Sequence, residues 1–187
     1  MNISARNLSD DAFADKVKGL LVKHAVPSGL LEVEVTESAV MLEPEKAARI
    51  LNELHAIGVR IAIDDFGAGY TSLAQLKNLP ISELKIDKSF ILAMSSNADD
   101  AMIVKSMIDL GHSLSMKVVA EGIETAHAAN TLADLQCDIG QGYHLCRPAL
   151  SDALMQWYSQ HAVGSRSPTN FAPEGRGPSG FAALRAS

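Results

Sequence analysis

Cysteine is scarce in this chain: Cys137 and Cys146 are the only two in 187 residues, and no Cys-x-x-Cys spacing joins them. That argues against a disulfide framework or a zinc site and for two reduced thiols of a cytoplasmic protein. The histidines (His24, His55, His112, His127, His144 and His161) show no ligand spacing either and read as surface or internally satisfied side chains. Long hydrophobic runs are missing. No stretch approaches the roughly 20 apolar residues of a membrane helix, and Met1-Asn2-Ile3-Ser4 leads into polar sequence rather than a secretory signal. The expectation is a soluble segment without membrane contact. Positive charge is in deficit, 16 Lys and Arg against 22 Asp and Glu for a net −6, the wrong sign for a binder of nucleic-acid polymers. With 47% hydrophobic and 20% charged residues, the chain can form one domain with a sizeable core.

The acids themselves are placed with a pattern. Glu34-Val35-Thr36-Glu37, Asp64-Asp65-Phe66-Gly67, Lys85-Ile86-Asp87 and Glu121-Gly122-Ile123-Glu124 each stand at the C-terminal end of a short β-branched or aliphatic run. Such runs, separated by helical patterns, predict parallel strands of an α/β protein, a class that keeps its chemistry at the C-terminal strand ends. Strand candidates lie near Asn2 and at 31–35, 59–64, 83–87, 117–121 and 138–144, about six in all. Between them, Leu42 to Ile57 reads as a helix with Ala47, Ile50, Leu51, Leu54 and Ile57 on one face and Gly58 as its stop. Asn97 caps a helix with Ile103, Met107, Leu110 and Leu114 in phase, and Thr125 and Ser151 cap two more. Met102, Met107 and Met116 read as core fillers. Helical crossovers imply a parallel sheet with right-handed connections.

After about residue 162 the composition shifts to Pro168, Pro173, Pro178 and glycine, which predicts a disordered tail over 163–187. Residues 1–162 then hold six units of roughly 27 residues, the unit size of a (β/α)8 barrel, whose eight units need more than about 200 residues. The predicted fold is an incomplete TIM-type (β/α) barrel.

Side chains alternate faces along a strand, so phase tests whether the acids share a site. Leu31, Val33 and Val35 oppose Glu32 and Glu34. Val59, Ile61 and Ile63 oppose Arg60, Ala62 and Asp64. Leu84 and Ile86 oppose Lys85, and Val118 and Ala120 oppose Glu121. The aliphatic sets suit covering helices, which leaves Glu34, Asp64, Lys85 and Glu121 together on the other side. Any one of these acids alone reads as a helix cap or a surface group. Their joint phase, with a lysine among them, favours a site. Two carboxylates 4 Å apart repel by about 4 kcal/mol at an effective dielectric of 20, so several together require cations or protons. Oxygen-only ligands favour Mg2+ or Mn2+ over zinc.

Six blocks in order carry a resemblance. They are Asn2-Ile3-Ser4-Ala5-Arg6, Glu34-Val35-Thr36-Glu37-Ser38, the stretch from Asp64-Asp65-Phe66-Gly67 to Leu73, Leu84 to Phe90, Val119 to Thr125, and Gln141-Gly142-Tyr143. In these the chain resembles the EAL-domain family of bacterial cyclic di-GMP phosphodiesterases. The resemblance implies a modified TIM barrel, a two-metal site taking Mg2+ or Mn2+, and hydrolysis of cyclic di-GMP to the linear dinucleotide. It implies that Asn2, Glu34 and Asp64 are metal ligands and that Asp64 with Asp65 is the pair holding two metals. Glu121 matches the ligand or general base toward the attacking water, and Lys85 the group that orients that water or balances phosphate charge. Gln141 matches a pocket-lining residue, while Glu37 and Glu124 match loop-stabilising ones. The loop from Phe66 to Leu73 is implied to couple substrate binding to a homodimer interface.

One departure stands beside the match: no Glu-Ala-Leu triplet, the family's signature and the source of a further ligand, occurs in the chain. The expectation is that residues 1–162 form the C-terminal two-thirds of such a domain, without its first two strands, and that the chain alone is a poor enzyme. The alternatives are a non-catalytic cyclic di-GMP-binding or protein-interaction module and a non-functional fragment. A metal-dependent barrel lyase would have no use for the Asp-Asp-Phe-Gly loop.

Overall fold

The structure, a computed structural model, describes residues 1–69, 73–95, 97–161 and 183–185. The chain divides into two compact units, Met1–Asp87 with Gly111–Lys117, and Lys88–Leu110 with the described residues from Val118 onward.

The first unit runs through α1 (Ala5–Leu8), α2 (Phe13–Lys23), β1 (Glu32–Thr36), α3 (Glu37–Leu42), α4 (Pro44–Ala56), β2 (Arg60–Phe66), α5 (Leu73–Leu76) and β3 (Glu83–Ile86). The three strands are parallel, with Val33 beside Ile61, Val35 beside Ile63, and Ile63 beside Leu84. Glu-Val-Glu-Val alternation in β1 buries both valines completely while its polar residues stay half-buried. Ile61, Ile63, Leu84 and Ile86 complete the aliphatic face. In α4 the buried stripe is Ala47, Ile50, Leu51 and Leu54, as the 3.6-residue period predicts. Burial of each such Ile or Leu contributes roughly 1.5–3 kcal/mol, so packing holds this helix more than its intrinsic propensity does.

The helix predicted from Leu42 does not start there. Leu42 ends α3, Glu43 adopts φ −139°, and Pro44 opens α4 at its first position. Proline lacks the N–H that a continuous helix would need and keeps the residue before it extended, so one apolar pattern becomes two helices. The strand expected near Asn2 is an isolated parallel bridge to Glu34, with Ile3 N–H donating to the Glu34 carbonyl at 2.9 Å.

The second unit carries α6 (Lys88–Met94), α7 (Ala98–Ser113, to Leu110 in this unit), β4 (Lys117–Ala120), α8 (Ala126–Asp134), β5 (Ile139–Gln141), α9 (Ser151–His161) and β6 (Ala183–Arg185). Strands β4 and β5 are parallel, with Val119 beside Ile139. Between them α8 is capped by Thr125, whose hydroxyl accepts from Ala128 N–H at 3.1 Å. In α7 the buried positions are Val104 and Ile108, one residue on from the predicted stripe, and Met102 is 67% exposed rather than a core filler. Of the tail expected over 163–187, only Ala183–Arg185 lies among the described residues; it pairs in parallel with β5. Among the described residues, no helix is long and apolar enough to cross a membrane.

Candidate functional site

The face of the first unit opposite its aliphatic layer is charged. Register sets Glu34 beside Ala62 and Thr36 beside Asp64, while Ala62 adjoins Glu83 on the next strand. Lys85, two residues beyond Glu83, therefore reaches across β2. Its Nζ lies 3.2 Å from Glu34 Oε1 and 3.1 Å from Asp64 Oδ1. The lysine side chain is 4% exposed, and the two carboxylates 18% and 15%. An ammonium so enclosed is tolerable only with anionic partners, and here one positive charge holds two negative ones together. The bridge to Glu34 brings Asn2, itself exposed, to the same level of the sheet.

Asp64 and Asp65 are neighbours in sequence, and a regular strand would send them to opposite faces. The β2–β3 register shifts between Ile63 and Phe66, and Asp65 takes φ +54°. This irregularity re-aims a side chain, as bulges beside functional sites do. The Asp65 N–H donates to Asp64 Oδ1 at 3.1 Å. Although Asp65 remains open to solvent overall, the protein flanking its carboxyl pushes its pKa above the ordinary value. The charges of Asp64 and Asp87 and a hydrogen bond with Asp87 add to this, while Lys85 pulls the other way. Asp87, the acid of one of the four segments noted in the sequence but given no site role there, is a member of the cluster. The signal was present: Lys85 and Asp87 are two apart and share a strand phase.

The end of β1 passes straight into α3. Thr36 caps the helix, its hydroxyl accepting from Ala39 N–H at 3.3 Å, and Glu37 becomes the first helical residue. Glu37 is 4% exposed, and its Oε2 accepts a hydrogen bond from Gly69 N–H at 2.9 Å. A Cβ on residue 69 would stand 2.6 Å from that oxygen, so any larger residue would have to displace the Glu37 carboxylate. Residues 70–72, the middle of the loop expected to carry dimerisation, lie outside the described residues.

In the second unit Glu121 directly follows β4 and is half-buried, and Gln141 is the last residue of β5, also half-buried. Gln141 offers its carbonyl to Ile123 N–H at 3.1 Å, and Ile123 offers its own to His144 N–H at 2.9 Å. A Cβ on Gly142 would lie 2.2 Å from Ile123 N, so this interlock also demands glycine. Glu124 is exposed. A further charged layer escaped the sequence reading: at the strand starts, Arg60 lies 3.9 Å from Glu32 and 3.7 Å from the buried Glu83.

The donors gathered in the first unit are carboxylate oxygens with one amide nearby. No sulfur or imidazole is among them. That set suits a hard divalent cation, and the desolvation and neighbouring negative charge that raise the Asp65 carboxyl are what a bound cation would offset.

The sequence profile of the EAL domain matches residues 1–148. The bifunctional diguanylate cyclase/cyclic di-GMP phosphodiesterase MucR of Pseudomonas aeruginosa is 43% identical over 155 residues, which are 83% of this chain and 23% of MucR. The solved structure of the MucR phosphodiesterase in complex with c-di-GMP matches with a TM-score of 0.78 at 43% identity, covering 82% of this chain and 62% of that one. The EAL domain of Mycobacterium smegmatis DcpA matches with a TM-score of 0.79 at 38% identity, covering 89% and 73%. The α/β fold is that of these EAL domains, a TIM-type arrangement of parallel strands and crossover helices. The chain spans about a fifth to a quarter of the length of the curated relatives it matches.

Proposed function

The chain belongs to the EAL domain family, and from that premise we propose that it hydrolyses one phosphodiester bond of cyclic di-GMP to give the linear dinucleotide. The observation that carries the reading is the buried Lys85 ammonium held 3.2 and 3.1 Å from Glu34 and Asp64, with Asp65 beside them. Three carboxylates around one lysine are costly for stability alone. They make sense where cations and a phosphate must be placed.

Asn2, Glu34, Asp64 and Asp65 would hold the metal, Mg2+ or Mn2+, with Glu121 as a further ligand or as the base toward the attacking water. Two such cations, when bound, lower the pKa of water and neutralise charge on the phosphoryl oxygens. Lys85 fixes the carboxylates of Glu34 and Asp64 by charge-assisted contacts and sets a positive charge beside the reacting phosphate. Glu37, through the Gly69 N–H, holds the start of the loop that follows the Asp-Asp pair. Gln141 offers an amide to the dinucleotide. In a complete domain, a homodimer formed through that loop, in the cytoplasm, completes the reading.

The test is direct. The chain is incubated with cyclic di-GMP in Mg2+, Mn2+, Ca2+ or chelator, and the linear product is measured alongside binding. Turnover in Mg2+ or Mn2+, weak for this chain alone and absent in Ca2+ or chelator, is expected, as is its loss in Glu121→Ala with binding retained. Binding without turnover in any metal would identify a receptor and overturn the hydrolytic reading.

A further inference from the structure

The charged layer at the strand starts takes no part in the chemistry, yet it shares a face with the site. Glu32, Arg60 and Glu83 open β1, β2 and β3, and Glu34, Asp64 and Lys85 follow on the same strands in the same phase. All six lie in the first unit. At the starts the charges run negative, positive, negative; further along they run negative, negative, positive. The side chains of Glu32 and Glu83 are 10% and 3% exposed, with the Arg60 guanidinium 3.9 and 3.7 Å away. Carboxylates so enclosed are tolerable only with cationic partners, and Arg60 serves both.

The register of β3 decides the geometry of the site. Ile63 stands beside Leu84 and Phe66 beside Ile86, so Asp64 and Asp65 both stand against the single residue Lys85. The aliphatic pattern alone does not fix that register. A slip of one residue would turn Leu84 and Ile86 out of the core, but a slip of two leaves every side chain on its own face. With only four residues, β3 has few backbone bonds to resist it. The charges do resist. Sliding β3 one way carries Lys85 to the place of Glu83, beside the Arg60 guanidinium. Sliding it the other way carries Glu83 to the place of Lys85, against Glu34 and Asp64. Each direction sets like charges together where little water screens them.

We infer that Arg60 is a positioning residue for the metal site: by holding Glu32 and Glu83 at the strand starts, it selects the register in which Asp64 and Asp65 face Lys85. The inference rests on the cation-binding reading above and extends it to the opposite ends of the strands.

Mn2+ alone is titrated into the full chain, its free fraction is followed by electron paramagnetic resonance, and circular dichroism confirms that each variant is folded. Arg60→Gln should weaken Mn2+ binding about tenfold, as in a chain that spends about nine-tenths of its time out of register. Through space alone, loss of the Arg60 charge would tighten a divalent cation, so the sign of the change separates the two effects. Arg60→Lys should stay within about twofold of the parent, because it keeps the charge. Should Arg60→Gln fail to fold, Arg60→Gln with Glu83→Gln removes both charges, leaves no unpaired acid at residue 83, and should weaken Mn2+ to a similar degree. In the folded variants the amide resonances of Leu84 and Ile86 should also double or broaden, the mark of a second register. Mn2+ affinity equal to or tighter than the parent's in the neutral variants overturns the register role and leaves the metal site intact. A parent chain that takes up no Mn2+ overturns the metal reading and the inference together.

Discussion

Lys85 is the residue on which the first unit's charge balance turns. Its removal leaves Glu34 and Asp64, both largely out of solvent, facing each other without the ammonium between them. Lys85→Ala should therefore lose roughly 3 kcal/mol of stability in chelator, the cost of breaking an enclosed pair from one side. Urea unfolding checks this, and an unchanged midpoint would show that the carboxylates do not lean on the lysine. Cys137 gives a second expectation. Burial, above all, pushes its thiol from the ordinary value of 9.0 up to about 12. Between those limits the unfolded chain gives up a proton that the folded chain keeps. The thiol's contribution is thus fully present below pH 9 and is lost as pH rises toward 12. Relative to Cys137→Ala, the parent should lose up to about 1.4 kcal/mol per pH unit above 9 in unfolding free energy. A difference between the two that stays flat from pH 8 to 10.5 would contradict this.

At the scale of elements, the junction of β1 and α3 couples a helix cap to the site. Thr36→Ala removes the acceptor for Ala39 N–H and should cost about 1 kcal/mol, measured by urea unfolding. Because Glu37 is the first residue of that helix, turnover should fall more than the lost stability explains; unchanged turnover would mean that the cap does not position Glu37. How much of these elements the sequence could reveal depends on what formed them. The strands were legible because Val33 and Val35 alternate with glutamates and Ile61 and Ile63 flank the small Ala62, and that same phase placed Glu34, Asp64 and Lys85 on one face. The split of α3 from α4 was written in Pro44 but hidden by an apolar period that runs through it. The stripe of α7 was ambiguous because Met102, Ile103 and Val104 are all apolar, so two phases one residue apart fit equally. The re-aiming of Asp65 could not be read from the sequence at all. It depends on how β2 pairs with β3, a relation between strands rather than a property of either.

At the scale of the whole molecule, a net charge of −6 with acids converging in one region makes cation binding and folding a single equilibrium. A metal that binds only the folded chain, at a hundred times its dissociation constant, adds about 2.7 kcal/mol. For a chain of this length that corresponds to a rise of roughly 5–10 °C in the thermal midpoint. Scanning calorimetry should show this shift with Mn2+, and Glu34→Gln combined with Asp64→Asn should abolish it. A midpoint indifferent to Mn2+ would mean that the donor set holds no cation.

The wedge of Gly142 against Ile123 also has a kinetic side. With Ile123 N–H bonded to the Gln141 carbonyl and His144 N–H to the Ile123 carbonyl, the turns after β4 and β5 can only come apart together. The amides of Ile123 and His144 should therefore exchange with deuterium through one shared opening event. Glu121, two residues before Ile123, and Tyr143, one after Gly142, would then be released at the same moment.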